Sequence, residues 1–389
     1  MSSAGGVSML AGGSPAVGAR VAVLGDPLEG PGVALGAPLA RNVVTQAVTD
    51  DLGNYTLTVP QGSYNIAVDL AGSPYEANAS SPAQHPVSVV AYQTVTQDVA
   101  LPATGALRVV VTDESNAPIA AKASVVGFDP SADPANTQTI LGLINNRTGV
   151  FRDLSKDGLP FGLTHVEFVD QNGDSGAFAL EPGSYRVVVS HGPEYSIATA
   201  DVTVTAGATT TVNAQVARVI DSGGFIGSDF HVHSIDSPDC PVSRRDRIVT
   251  MLAEGVDFFT PSDHDFRSNF VPDIAALGAT GLISVATGGE ITTFDYGHFN
   301  AWPMTIDPSK VNGGSVDHGG AAPDGKDFPQ YGSYSLTPAQ IVAAAHADPG
   351  TNTVQINHFY SQFGLSGGSG LAIDTGMVPP QSFVPGKAR

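Results

Sequence analysis

Gly53-Asn54-Tyr55-Thr56-Leu57-Thr58-Val59-Pro60-Gln61-Gly62-Ser63-Tyr64-Asn65-Ile66-Ala67-Val68 decides how the first half of the chain is read. Tyr55, Leu57 and Val59 alternate with Thr56 and Thr58, and Tyr64, Ile66 and Val68 alternate with Asn65 and Ala67. Neighbouring side chains on a strand point to opposite faces, so this alternation predicts two half-buried strands with Pro60-Gln61-Gly62 as their turn. The phrase returns as Gly176-Ala177-Phe178-Ala179-Leu180 leading to Gly183-Ser184-Tyr185. Each Gly-Ser-Tyr is followed by a strand, a loop with Pro and Tyr, and a Val/Thr-rich stretch, Val87 to Val99 and Val202 to Val216. Two copies of one β-sandwich module account for this, one over residues 18–103 and one over 104–220. Residues 1–17 read as a disordered or incomplete N-terminus.

The rest of the composition agrees with a β-rich, globular chain. The 389 residues allow two to four domains, and charged residues are only 14%. The formal charge of −20 argues against a nucleic-acid partner, because backbone affinity comes from Lys and Arg neutralising phosphates. Cys240 is the single cysteine, so no intramolecular disulfide forms. No run of about 18 apolar residues predicts a membrane span. Met1 to Gly18 lacks the basic and apolar regions of a signal peptide.

Asp170, Asn172, Asp174 and Glu181 fall at positions of a calcium-binding EF-hand loop. Ser175 stands where that loop needs Gly, and no helices flank it. A hairpin turn rich in Asp, Asn and Gly explains the same residues.

From Phe225 the texture changes. His231, His233, His264, His298, His318, His346 and His358 all lie in this part. Ser243 to Glu254 predicts a helix with Ile248, Met251 and Leu252 on one face and Gly255 as its stop. Thr337-Pro338-Ala339-Gln340 is a capping box that opens a helix to about His346. Apolar runs at Val256 to Thr260, Leu282 to Ala286 and Val354 to Asn357 separate such helices. That alternation predicts parallel strands, open or closed into a barrel.

The polar residues stand at the ends of those runs. Phe230 precedes His231-Val232-His233, Thr260 precedes Ser262-Asp263-His264-Asp265, Ala286 precedes Gly288-Gly289-Glu290, and Asn357 precedes His358. In a parallel β/α barrel the C-terminal strand ends converge on one face. His231 and His233, two apart on a strand, point to the same side and can share one ion. Imidazole and carboxylate donors suit zinc, manganese or iron. His318 in a Gly-rich loop and His346 near a helix end lack this placement and read as structural or exposed.

Two resemblances follow. Asp51-Leu52-Gly53-Asn54-Tyr55 with Val59-Pro60-Gln61-Gly62-Ser63-Tyr64 is similar to the carboxypeptidase-regulatory, transthyretin-like sandwich repeat, a structural or adhesive appendage. Ser228-Asp229-Phe230-His231-Val232-His233-Ser234, then Ser237-Pro238-Asp239 and Thr260-Pro261-Ser262-Asp263-His264-Asp265, resemble the PHP (polymerase and histidinol phosphatase) metallohydrolase superfamily. Gly288-Gly289-Glu290-Ile291-Thr292-Thr293, Gly297-His298-Phe299-Asn300-Ala301-Trp302-Pro303 and Gln355-Ile356-Asn357-His358 resemble its carbaryl-hydrolase-like (CehA/McbA-type) branch.

The second resemblance implies a distorted seven-stranded β/α barrel over 225–389 with up to three ions of zinc, manganese or iron. It implies one site of His231, His233 and Glu290, a second of Glu290, His298 and His358, and a third built on Asp239 and His264. Asp236 lies close to Asp239 and is the alternative there. Asp229, Asp263, Asp265 and Asn357 are implied to orient imidazoles. Glu290, His298 and His358 are the implied catalytic groups for metal-activated water attacking an ester, carbamate, amide or phosphoester of a small-molecule substrate. A phosphatase or nuclease would want a basic pocket, and only Arg244, Arg245, Arg247 and Arg267 lie near the ligands. Family architecture implies an extracytoplasmic location.

The family's closing Ser-Asp-x-His-like motif has no counterpart after His358, where the chain holds no further histidine. The implied barrel is therefore C-terminally incomplete, either a fragment or a protein that lost its full cluster. The rival expectation is a non-catalytic binding or adhesion protein in which the sandwiches do the work.

Overall fold

The computed structural model describes residues 2–10, 13–27, 41–73, 85–127, 161–293, 297–319 and 336–358. They fall into two compact units, Met1–His191 with Tyr195–Val219, and Gly192–Glu194 with Ile220–Arg389.

The first unit begins with β1 (Ser2–Leu10), β2 (Arg20–Pro27), β3 (Arg41–Val48), β4 (Asn54–Val59), β5 (Gly62–Asp69), β6 (His85–Val89), β7 (Thr94–Thr96) and β8 (Val99–Leu101). One sheet orders β4-β1-β7 with β8 also on β1, and the other orders β3-β2-β5-β6. Their inner faces share one core that includes Ala4, Val21, Val23, Tyr55, Leu57, Val59, Ile66 and Val68. The alternation read from Tyr55 to Val59 is realised: β4 buries every second residue. Residues 2–10, part of the 1–17 stretch expected to be disordered or incomplete, form β1. Ala4 is fully buried, and β1 pairs antiparallel with β4 and parallel with β7 and β8.

A second pair of sheets follows: β9 (Gly105–Thr112), β10 (Ala121–Gly127), β11 (Phe161–Val169), β12 (Asp174–Leu180), β13 (Gly183–Ser190), β14 (Ala198–Val204) and β15 (Thr209–Gln215). They order β11-β10-β13-β14 and β12-β9-β15 over a separate core of Leu107, Val109, Val111, Val125, Tyr185, Val187 and Val189.

The repeat has a physical basis, though its alignment differs from the sequence reading. Tyr64 and Tyr185 each donate a hydroxyl hydrogen bond to the carbonyl four residues back, Pro60 at 3.0 Å and Glu181 at 2.7 Å. Gly53, not matched by Gly176, has its counterpart in Gly173. Both have positive φ, 77° and 71°, and a Cβ on either would meet a backbone carbonyl, Ser8 or Val111, at 2.4 Å. Asp50 and Asp170 close the two turns alike, accepting from Leu52 N at 2.9 Å and Asn172 N at 3.0 Å. The second copy is one residue longer here, and a register irregularity between Asp174 and Ala177 absorbs it as a bulge. Asp170 and Asp174 of the EF-hand-like set are thus spent on turns, and Asp174 also takes the Arg108 guanidinium, with Nε at 2.8 Å.

The second unit contains β16 (Ser228–Val232), α1 (Arg244–Ala253), β17 (Phe258–Pro261), α2 (Val271–Leu277), β18 (Ser284–Val285), β19 (Gly289–Thr293), β20 (Gly297–Trp302), α3 (Pro338–His346) and β21 (Thr353–Ile356). Ser243 caps α1 by accepting from Asp246 N, and Gly255 follows its end at φ 71°. Both halves of the Thr337/Gln340 capping box form at α3.

The barrel expectation is corrected here. β16-β17-β18 is a short parallel sheet, but β19-β20-β21 is antiparallel throughout, and no closed barrel forms among the described residues. The described residues are 48% strand against 11% helix, with three α-helices. Glu290, read as standing just past the end of the Leu282 to Ala286 run, lies within a strand of its own, Gly289–Thr293, which pairs with β20, Glu290 opposite Asn300 and Thr292 opposite His298. An antiparallel pair needs only a short connection, so no crossover helix intervenes and the β/α rhythm stops. The run Leu282 to Ala286 keeps only two strand residues. α3 covers one face of the antiparallel sheet, where Ile341 and Ala345 join Ile291, Phe299 and Ala301 in one core. The alternate residues Glu290, Thr292, His298 and Asn300 are left for the other face.

Among the described residues no helix is long and apolar enough to cross a membrane.

Candidate metal centre

Glu290 sits at the middle of the second unit, its side chain fully buried. Five imidazoles surround it. His231 Nε2, His298 Nδ1 and His358 Nε2 lie 3.6, 3.2 and 3.4 Å from Oε1. His233 Nε2 and His264 Nδ1 lie 3.5 and 3.2 Å from Oε2. The rings close a loop around the carboxylate: centroids are 5.0 Å apart for His231/His233, 4.8 Å for His233/His264, 5.2 Å for His264/His298, 4.7 Å for His298/His358 and 5.7 Å for His358/His231.

Each side chain arrives there for a local reason. His231 lies on β16 and His233 just beyond it, two residues apart with Val232 buried on the opposite side, and their Nε2 atoms are 3.1 Å apart. His264 bridges to Glu290 alongside β19, where Glu290 N donates to Asp263 O at 3.1 Å and Asp265 N to Glu290 O at 2.8 Å. His298 faces inward from β20, and His358 follows β21 with φ 27°. Asp239 is the most exposed of the expected ligands, 58% exposed at the rim, with Oδ2 3.2 Å from His264 Nε2. Asp236 is engaged elsewhere: Arg244 donates to both its oxygens at 2.7 and 2.9 Å. Of the two acids, Asp239 is therefore the one that faces the imidazoles.

The ligand atoms sort differently from the expected sites. His231, Glu290 and His358 form one triad and His233, His264 and Glu290 another, the donor atoms of each within 4.8 Å of one another. Glu290 belongs to both. The groups expected to orient imidazoles mostly do something else. Asp229 accepts from the backbone N of His231 at 3.0 Å. Buried Asp263 accepts from Ser234 N at 2.6 Å and from the hydroxyls of Ser234 and Ser268. Asp265 accepts from Thr292 N at 3.0 Å and faces His318 Nε2 at 3.2 Å. Asn357 donates to Glu290 Oε1 at 2.6 Å and to Asn300 Oδ1 at 2.6 Å, and Asn300 donates to Phe230 O at 2.7 Å.

Sequence reading missed Ser237, Thr292 and Asn300. Ser237 Oγ lies 3.1 Å from His233 Nδ1, and Thr292 Oγ1 lies 2.5 Å from His264 Nδ1. Asn300 and Thr292 carried a signal, since each stands two residues from His298 or Glu290 on the same strand.

The electrostatics suit a cation. Burial pushes the Glu290 carboxyl up, but hydrogen bonds with His231, His298 and Asn357 outweigh it and hold the acid well below its ordinary range. The Glu290 contact holds His231 above the ordinary imidazole value. Burial pushes His233 down, and burial with the charge of His298 does the same to His358. Glu290 Oε2 is buried without a hydrogen bond of acceptable geometry, although two imidazole nitrogens stand within 3.5 Å. A carboxylate oxygen ringed by imidazole nitrogens is satisfied by N–H groups or by a cation held between them. The residues fit a divalent transition ion.

No family model and no curated protein matches the chain. Solved structures give weak likenesses. The TIE protein of Bacillus anthracis shares 12% identity over 60% of this chain and 36% of its own, with a TM-score of 0.21. The shaft pilin SpaA of Lactobacillus rhamnosus GG shares 13% over 57% of this chain and 99% of its own, TM-score 0.28. The minor pilin GBS52 of Streptococcus agalactiae shares 15% over 57% and 98%, TM-score 0.27. The chain thus spans about a third of the length of the TIE protein. Scores this low carry no argument about fold or function. The PHP resemblance and the hydrolase it implied are withdrawn: the closed barrel that would have gathered catalytic strand ends is not formed among the described residues. Glu290, His298 and His358, the catalytic groups that resemblance implied, are brought together here, with both imidazoles beside Glu290 Oε1.

Proposed function

We propose that this chain is a non-catalytic, sandwich-borne binding protein of the adhesion type whose second unit holds a divalent transition metal. The observation that carries the metal is the buried Glu290 carboxylate inside a closed loop of five imidazoles, with Oε2 lacking a hydrogen bond. Nitrogen and carboxylate donors favour zinc, with manganese and iron as the competing ions. His231 and His358 would hold one ion and His233 and His264 another, Glu290 bridging them. His298 stands beside Oε1 and Asp239 at the rim, as additional donors.

The binding role rests on the first unit. Its two independent cores each hold a pair of sheets, with ion pairs such as Arg186/Asp201 on their exposed faces. Such sandwiches present loops and edges to partners. A surface or exported location belongs to the same proposal.

Elemental analysis of the purified full chain, after incubation with zinc and dialysis, tests it. Bound zinc is expected in the wild type, with loss in His298→Ala/His358→Ala and in Glu290→Gln. A metal-free wild type, or variants that keep all their zinc, would overturn the metal centre.

A further inference from the structure

We infer that Ser237 is a positioning residue of this centre: its hydroxyl fixes His233 in the tautomer protonated on Nδ1, leaving Nε2 bare toward Glu290. The inference rests on the metal-centre reading above for its purpose, but its geometry stands on its own.

Ser237 is 4% exposed, and its backbone is pinned in the turn after β16, where its N donates to Ser234 O at 2.9 Å. Its Oγ meets three partners. Asp239 Oδ1 lies at 2.7 Å, His264 N at 3.3 Å and His233 Nδ1 at 3.1 Å. A hydroxyl has one proton to give and two lone pairs to receive. The Asp239 carboxylate can only accept, so the proton goes there. The His264 amide can only donate, so it takes one lone pair. One lone pair remains for His233, whose Nδ1 must therefore carry hydrogen. Asp239 cannot replace the serine in place, since its Oδ1 is 3.9 Å from His233 Nδ1.

With Nδ1 protonated, the Nε2 lone pair of neutral His233 points toward Glu290 Oε2 at 3.5 Å and His231 Nε2 at 3.1 Å. That is the atom a cation needs. The nitrogen that does not bind metal is commonly set by such a partner. One buried hydroxyl thereby ties the rim acid Asp239, the His264 backbone and the His233 ring into a single arrangement.

The test uses two-bond proton–nitrogen spectra of the metal-free, nitrogen-15-labelled full chain at about pH 8.5, where an ordinary imidazole is neutral. The His233 signals are assigned by their absence in His233→Asn. The wild type should show Nδ1 protonated and Nε2 bare. Ser237→Ala should lose that preference and weaken zinc binding about 10–100-fold, and Ser237→Thr, which keeps the hydroxyl, should restore both. A purely structural role would leave the tautomer unchanged in folded Ser237→Ala. That result, or a wild-type His233 protonated on Nε2, would overturn the inference. Failure of the wild type to take up zinc would instead sink the metal centre, while the spectra still decide the role of Ser237.

Discussion

Asn357 Nδ2 lies 2.6 Å from Glu290 Oε1, joining the end of β21 to β19 across the intervening β20. The same amide reaches Asn300, which in turn holds Phe230 O of β16. All three side-chain partners belong to residues about 1% exposed. The orientation of the central carboxylate is therefore set by a buried amide relay that crosses both sheets of the second unit.

Replacing Asn357 by Leu keeps the number and branching of side-chain heavy atoms and removes the donor to Glu290. Zinc affinity should fall about 10–100-fold, as for other groups that orient a ligand. Competition with a chromophoric chelator measures it. Equal affinity in the variant would mean that something other than the relay holds Glu290.

Zinc should raise the melting temperature of the wild type, because a ligand at a hundredfold excess over Kd stabilises the native state by about 2.7 kcal/mol. Glu290→Gln should melt at the same temperature with and without zinc, since it loses the donor common to both triads. Differential scanning calorimetry distinguishes the two. A full zinc response in the variant would show that the imidazoles bind without the carboxylate.

Gly53→Ala and Gly173→Ala should each destabilise the first unit by more than about 1 kcal/mol, because both need positive φ and both face a carbonyl at 2.4 Å. Gly207→Ala, with positive φ but nothing within 4 Å, should cost less than either. Urea unfolding of the three variants orders them, and a Gly207 variant weaker than the other two would refute the steric account.

Burial, reinforced by the charge of Asp98, pushes the Tyr55 hydroxyl up to about 12, and its donor bond goes to Gln97 O. An unfolded tyrosine ionises near about 10, so the folded state holds its proton longer. The stability Tyr55 contributes is complete below about pH 10 and is lost as pH rises through about 12. Burial, with Glu181, raises Tyr185 in the same direction. Thermal melts from pH 9 upward should fall across this window, and Tyr55→Phe should show a shallower fall. An identical slope would assign the loss to other groups.

Local features were legible in the sequence and global ones were not. Alternation exposed β4, the Ile248/Met251/Leu252 face with the Gly255 stop marked α1, and the Thr337 capping box marked α3, because those signals depend on neighbours a few residues away. Strand direction has no such local mark. The apolar run at Val354 reads the same whether its partner runs parallel or not, and here it pairs antiparallel with β20. Glu290 looked like a residue after a strand because the apolar Leu282 to Ala286 run drew attention from Gly289–Thr293, a strand with one polar face. The histidines were visible as candidates, but their sorting into triads was not. Sorting depends on which oxygen of one carboxylate each ring meets. Ser237 stood in the quoted Ser237-Pro238-Asp239 stretch but its role was not legible, since a serine beside an acid is ordinary turn composition.

The two triads draw on opposite oxygens of a single carboxylate. A first cation would neutralise charge that the second must also use, so occupancy of one half changes the affinity of the other. Uptake would then follow a coupled, two-step isotherm rather than two independent ones, and cutting the linkage at Glu290 would uncouple the halves even if imidazoles alone could hold an ion.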